Sequence, residues 1–152
     1  PCDVDACRES ALRLLDAADR PSGALRDRLI DKGYDDETVA AVVDRLIEVG
    51  LVDDESYAQS AVRYCVGRLM GYRGAVMELA RKGVDRPLAE RVCDEARMSG
   101  VFEDAAWELG RRSAAKTQGM DPKVRKRRFW SSGGRKGHDA ETLRAVAHEL
   151  FD

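Results

Sequence analysis

The chain predicts an all-α fold: three tandem three-helix repeats stacked into an elongated, curved array. Three observations carry this. The tetrapeptide Lys-Gly-x-Asp occurs three times, as Lys32-Gly33-Tyr34-Asp35, Lys82-Gly83-Val84-Asp85 and Lys136-Gly137-His138-Asp139, at offsets of 50 and 54 residues. Each copy is followed by apolar side chains 7, 10, 11 and 14 positions after its lysine: Val39, Val42, Val43 and Leu46; Ala89, Val92, Cys93 and Ala96; Leu143, Val146, Ala147 and Leu150. That spacing is one face of an α-helix. No segment shows sustained two-residue alternation, and no hairpin turn is flanked by β-branched runs. A unit of about 50 residues cannot bury its faces alone, so neighbours must stack. The expected boundaries are residues 1–50, 51–100 and 101–152.

The tetrapeptide has a physical meaning. Glycine just past a helix closes the last turn in the left-handed conformation. The lysine before it sits where the helix dipole favours a cation. The aspartate two residues on caps the next helix by accepting its free N–H groups. Gly33, Asp35, Gly83, Asp85, Gly137 and Asp139 are thus predicted helix-corner residues. Gly50, Asp53, Asp54 and Tyr57 form the corresponding joint between the first repeat and the second.

Nine helices follow in order. The first covers about 5–19, with Leu12 and Leu15 inward, and the second about 22–32, capped by Ser22, with Leu25, Leu29 and Ile30 apolar. The third runs over about 36–48 and stops at Gly50. Asp53 or Asp54 caps the fourth, about 54–68, which buries Tyr57, Ala58, Ala61, Val62 and Cys65. Gly71 opens the fifth, about 72–82, with Val76 and Leu79 inward. The sixth spans about 86–98, with Pro87 tolerated in its first turn, and ends by Gly100. The seventh covers about 102–117 with Phe102, Ala106, Trp107 and Leu109. Asp121-Pro122, a cap followed by a first-turn proline, opens the eighth, about 122–135. The ninth spans about 140–150. Phe129 and Trp130 align with Ala75 and Val76 of the second repeat and are expected in the core. Gly133 stands where Leu29 and Leu79 point inward, so the Ser131–Gly134 stretch predicts a bent, frayed or unusually close-packed helix.

With 43% hydrophobic and 36% charged residues, the chain is neither disordered nor membrane-spanning in pattern. No apolar run approaches the roughly 20 residues of a transmembrane helix, and no signal-peptide pattern is present. The chain opens at Pro1 without an initiator Met, which leaves room for sequence before it. Cys2, Cys7, Cys65 and Cys93 show no paired ligand spacing, and His138 and His148 lie far from them, so reduced thiols in a cytoplasmic protein are expected, with no metal. No nucleophile elbow, P-loop, HExxH or dinucleotide fingerprint is present, so no enzyme constellation and no cofactor is expected. The acidic run Asp53-Asp54-Glu55 reads as helix capping.

The net charge of −2 hides an asymmetry. Residues 1–110 carry a net −8, residues 111–136 a net +9, and residues 137–152 a net −3. The basic segment holds Arg111, Arg112, Lys116, Lys123, Arg125, Lys126, Arg127, Arg128, Arg135 and Lys136 against Asp121 alone. A solvated face would carry balancing acids; this one calls for a polyanionic or acidic partner. A winged helix-turn-helix around Asp36–Val52 fails as an alternative. A new helix, not a wing of strands, starts at Asp53, and the supposed recognition helix carries Asp36, Glu37, Asp44 and Glu48 against Arg45.

The run Gly50-Leu51-Val52-Asp53-Asp54-Glu55-Ser56-Tyr57-Ala58 resembles the central motif of the RecX regulatory protein family. So do Gly71, Glu78-Leu79 and Lys82-Gly83-Val84 after it, and Ala11-Leu12-Arg13-Leu14-Leu15 with the Leu25–Gly33 helix before it. The resemblance covers about residues 8–151, most loosely at Ser132-Gly133-Gly134. It implies a cytoplasmic, non-enzymatic bacterial modulator of the RecA recombinase in DNA repair, recombination and the SOS response. It implies a crescent of three-helix repeats lying in the groove of the RecA–single-stranded-DNA filament. It also implies inhibition of strand exchange, ATP hydrolysis and coprotease activity. The expected chain is a monomer, and the ten cations above face the filament's protein or DNA. The alternatives are a stand-alone DNA-binding protein using residues 111–136, single- or double-stranded, and a helical scaffold for an unrelated partner.

Overall fold

The structure, a computed structural model, describes residues 1–152 and folds them into nine α-helices without a β-strand. They are α1 (Val4–Ala17), α2 (Ser22–Asp31), α3 (Asp36–Glu48), α4 (Asp54–Gly67), α5 (Tyr72–Arg81), α6 (Arg86–Met98), α7 (Val101–Lys116), α8 (Pro122–Arg135) and α9 (Ala140–Phe151). No helix is long and apolar enough to cross a membrane.

The three Lys-Gly-x-Asp joints share one backbone geometry. Gly33, Gly83 and Gly137 are left-handed, at φ +102°, +105° and +85°. Each joint then closes two helix-end carbonyls. Gly33 N–H donates to Ile30 O at 2.9 Å and Tyr34 N–H to Leu29 O at 3.3 Å. Gly83 N–H and Val84 N–H reach Ala80 O and Leu79 O at 3.1 and 3.0 Å, and Gly137 N–H and His138 N–H reach Gly134 O and Gly133 O at 3.1 and 3.0 Å. This is the pattern of a Schellman closure. Asp35 then caps α3 by accepting from Thr38 N–H at 2.9 Å, and Asp139 caps α9 by accepting from Thr142 N–H at 2.7 Å. These bonds hold both carboxyls below the usual carboxylate range: for Asp35 the side-chain bond at Thr38 leads, for Asp139 the Thr142 backbone N–H. Asp85 accepts through its carbonyl from Ala89 N–H at 2.9 Å.

The caps differ from expectation at one place. Asp53 caps α4, accepting from Ser56 N–H at 3.0 Å. The position before α2 belongs to Pro21, which makes no side-chain cap, and Ser22 is the first helical residue. The missing acceptor comes from the neighbouring repeat. Asp54 accepts from Ser22 N–H at 2.6 Å and from the Ser22 hydroxyl at 2.5 Å. Two adjacent aspartates therefore cap two different helices.

The chain packs as two compact units. The first comprises residues 1–60 and 79–89, the second residues 61–78 and 90–152. In the first, α1, α2 and α3 pack mutually over a core that includes Cys7, Ala11, Leu25, Leu29, Val39, Val43, Leu46 and Val52. Leu12 and Leu15 sit at its edge and Ile30 faces solvent. In the second, α7, α8 and α9 pack mutually over Ala106, Leu109, Phe129, Leu143, Val146 and Ala147. Phe129 is fully buried, as expected; Trp130 is half-buried, packing against the margin of this core. Cys7, Cys65 and Cys93 are buried as small apolar residues, and burial first, then Cys65 and Asp94, pushes the Cys93 thiol up to about 12.

Within each unit a joint glycine seats on the start of an earlier helix. A side-chain carbon at Gly23 would lie 2.5 Å from Gly83 O, and one at Gly83 would lie 2.7 Å from Ala24 N. Gly137 seats on Gly74 in the same way, and Gly71 N–H donates to Lys136 O at 2.8 Å. α8 runs unbroken through Ser131–Gly134. Gly133 is buried beneath Leu143, whose Cδ1 would lie 3.0 Å from an added carbon, whereas Gly134 faces open space. Of the three expected outcomes for this stretch, close packing is the one realised.

Candidate anion-binding interface

Two helical stripes and one helix end build a basic cleft of about 400 Å³ within the second unit. From α7 come Leu109, Arg112, Ser113 and Lys116, spaced so that they share one face, with Thr117 just beyond the helix. From α8 come Arg128 and Ser132, one turn apart, with Lys136 one turn further on. The end of α4 supplies Gly67 and Arg68, followed by Leu69. An adjoining cleft of about 360 Å³ shares Arg68, Ser132 and Lys136 and adds Met70, Glu78 and Arg135.

The backbone around the cleft is held by its own polar contacts. Lys136 Nζ donates to Arg68 O at 2.8 Å, so one cation lies at the carbonyl end of α4, where the dipole favours it. His138 Nε2 bonds Leu69 O at 2.8 Å. His138 is buried, and desolvation holds its pKa below the ordinary imidazole range, so it is a neutral packing residue. Leu69 itself is left-handed at φ +63°, the one non-glycine residue of the chain there. Its side chain packs against the α7–α9 core, which compensates the strain.

The ten cations of the basic segment separate into groups. Arg112, Lys116, Arg128 and Lys136 line the first cleft, and Arg135 the adjoining one, with its guanidinium on Ser131 Oγ at 2.6 Å. Lys116 and Arg128 are exposed and have no ion-pair partner, and the same holds for Lys123 and Arg127 outside the cleft. Arg111 and Arg112 reach Glu108 at 3.3 and 3.1 Å, and their hydrogen bonds, Arg112's first, hold that carboxyl below its usual range. Lys126 pairs with Asp152, which also meets His148 at 2.9 Å. Arg125 turns inward. Its guanidinium donates to Thr117 Oγ1 at 3.1 Å and to Ala114 O at 3.0 Å, and lies 5.4 Å from the Phe151 ring centre. The structure thus commits Arg125 to its own fold. Arg68, far from the segment in sequence, is the lining cation that composition did not single out; the stripe Arg128-Ser132-Lys136 was readable from its four-residue period.

The joint residues have structural surroundings. Gly50 is left-handed at φ +81°, and Leu51 N–H closes onto Leu46 O at 2.9 Å. Tyr57 is half-buried and, with Gly50 and Asp53, lines a cleft of about 170 Å³ whose other walls include Asp19 and Arg20.

Residues 7–46 match the family profile described as "RecX, first three-helix domain". The chain is 37% identical over 147 residues to a protein of Thermobifida fusca named regulatory protein RecX, a match covering 94% of this chain and 78% of that one. A regulatory protein RecX of a Mycobacterium species, strain JLS, is 49% identical over 77 residues, covering 49% of this chain and 41% of the relative. Among solved structures, RecX from Lactobacillus salivarius superposes with a TM-score of 0.84 at 20% identity, over 97% of this chain and 96% of that one, a likeness of fold.

Proposed function

The chain belongs to the RecX family of regulatory proteins, and from that premise we propose that it is a cytoplasmic, non-enzymatic regulator that binds the RecA–single-stranded-DNA filament and restrains its strand exchange, ATP hydrolysis and coprotease activity. The observation that carries the reading is the split between an acidic remainder and a basic segment whose exposed cations Lys116, Lys123, Arg127 and Arg128 lack acidic partners. A filament presents polyanionic DNA and repeated protein surfaces, so a row of helical repeats gains avidity by touching several subunits at once. The three repeats, residues 1–50, 51–100 and 101–152, would supply successive contacts, with the third meeting phosphate or acidic protein.

The test is recombinase ATPase and strand exchange on single-stranded DNA with this protein titrated in. The expected result is inhibition that saturates below one protein per recombinase. Reversing Lys116, Lys123, Arg127 and Arg128 to Glu should abolish it without unfolding the chain. Reversing Arg125 or Lys126 is a poorer test, because both already serve contacts within the fold. Tight binding to bare DNA at physiological salt, with recombinase ATPase unaffected, would favour the stand-alone DNA-binding reading instead.

A further inference from the structure

The larger of the two adjoining clefts differs from a diffuse basic surface in having an apolar floor beneath its cations, and the smaller continues it across a shared edge. Each has room for a ligand of nucleotide size, at about 400 and 360 Å³. They share Arg68, Ser132 and Lys136, so two cations and a hydroxyl stand at the boundary between them. The larger has an apolar floor of Leu69 and Leu109 and a rim bearing Lys116 and Arg128, whose charges nothing in the fold neutralises. Ser113 adds a neutral hydroxyl, and the left-handed Leu69 places a strained residue at the site, as binding sites commonly do.

This combination suits one chemistry. A rim of guanidinium and ammonium groups takes phosphate oxygens, the apolar floor takes a sugar or base, and the shared boundary lets the next phosphate fall between two such places. A duplex offers the rim its phosphates but keeps its bases stacked inside, away from the apolar floor. An acidic peptide would satisfy the rim but leave the floor unused. We infer that the larger cleft, between the end of α4 and the facing stripes of α7 and α8, binds a nucleotide of a single strand, with Lys116 and Arg128 as phosphate contacts, and that the strand continues past Arg68 and Lys136 into the adjoining cleft, whose Glu78 keeps phosphate to the shared edge. This rests on the reading that the basic segment faces the nucleic acid of the filament, and it names where a strand enters.

The experiment is fluorescence anisotropy of a labelled single-stranded oligonucleotide with the full chain alone. Lys116→Glu with Arg128→Glu is compared with Lys123→Glu and Arg127→Glu, a pair of the same charge change outside the clefts. The cleft pair should bind roughly tenfold more weakly than the control pair. Relative to wild type, the cleft pair should lower the slope of log affinity against log salt by about 1.4, which is about 0.7 for each lost single-strand phosphate contact. Ser113→Phe, which plugs the cleft and keeps every charge, should weaken binding as well, and it serves if the double reversal fails to fold. Equal losses in the two charge pairs with no effect of the plug would overturn the inference. So would displacement of the oligonucleotide by duplex DNA or by an oligo-glutamate at comparable concentrations. A free mononucleotide displacing it as well as another strand does would assign the cleft to a single nucleotide and overturn the strand. Oligonucleotide held in the clefts with recombinase ATPase unchanged would sink the filament reading alone; oligonucleotide binding and recombinase inhibition that both survive the plug would sink this one alone.

Discussion

Replacing Asp54 with alanine removes the acceptor that closes the start of α2, a helix with no side-chain cap of its own. Two hydrogen bonds go at once, from Ser22 N–H at 2.6 Å and the Ser22 hydroxyl at 2.5 Å. Ser22 is 6% exposed, so water cannot replace the carboxylate at its N–H without local opening. A bond to a charged acceptor is worth about 1.5–3 kcal/mol, and an orphaned buried donor costs about 1–3 kcal/mol. The hydroxyl can turn towards other groups, since Arg26 already donates to it at 3.3 Å. The expected loss is therefore about 2–3 kcal/mol. Asp53→Ala, which removes an exposed cap, should cost only about 1 kcal/mol. Urea unfolding measures both, as a lower midpoint at unchanged slope. A cycle with Ser22→Ala isolates the pair, and the double variant should lose clearly less than the sum of the singles. If Asp54→Ala costs no more than Asp53→Ala, or the cycle shows no coupling, Asp54 is not the cap of α2.

Two left-handed glycines should respond very differently to the same change. Gly50→Ala, with nothing within 4 Å of the added carbon, should lose about 1 kcal/mol of stability, whereas Gly137→Ala, pressed on Gly74, should lose several times more; parallel thermal melts compare them, and equal losses would show that the close approach carries no weight. The depressed pKa of His138 means that the unfolded chain binds more protons at acid pH. Its contribution is whole above about pH 6.5, the unfolded value, and is lost as pH falls towards the lower folded one. His138→Gln should flatten the melting temperature between pH 7 and pH 5 relative to wild type; two curves that stay parallel would show that this imidazole is not the titrating group.

The fold was readable from the chain because its determinants are local. Helix spacing, capping aspartates and left-handed glycines act within a few residues, and the threefold Lys-Gly-x-Asp joint repeats them in register. The observed helix limits accordingly lie within two residues of those read from periodicity. The cap of α2 differs from the Ser22 expectation because the acceptor, Asp54, lies 32 residues away, and nothing near Ser22 announces it. Likewise Gly133 signalled an anomaly in α8, and only the position of Leu143 decided that the anomaly is close packing.

The basic segment divides along the same line. Its charge excess is a property of composition and needs no coordinates. Which cations remain available is a property of packing. Arg125 and Lys126 differ from Arg127 and Arg128 by a rotation of about 100° per residue around α8. That rotation puts the first pair against Thr117, Ala114 and Asp152, Arg128 over the cleft, and Arg127 in solvent. Sequence determined the helices, their joints and the charge excess of the basic segment, because those follow from neighbours along the chain. Tertiary structure alone decided which aspartate caps which helix, which arginines are occupied and that Arg68 joins the cleft, because those depend on distances between residues that the chain keeps far apart.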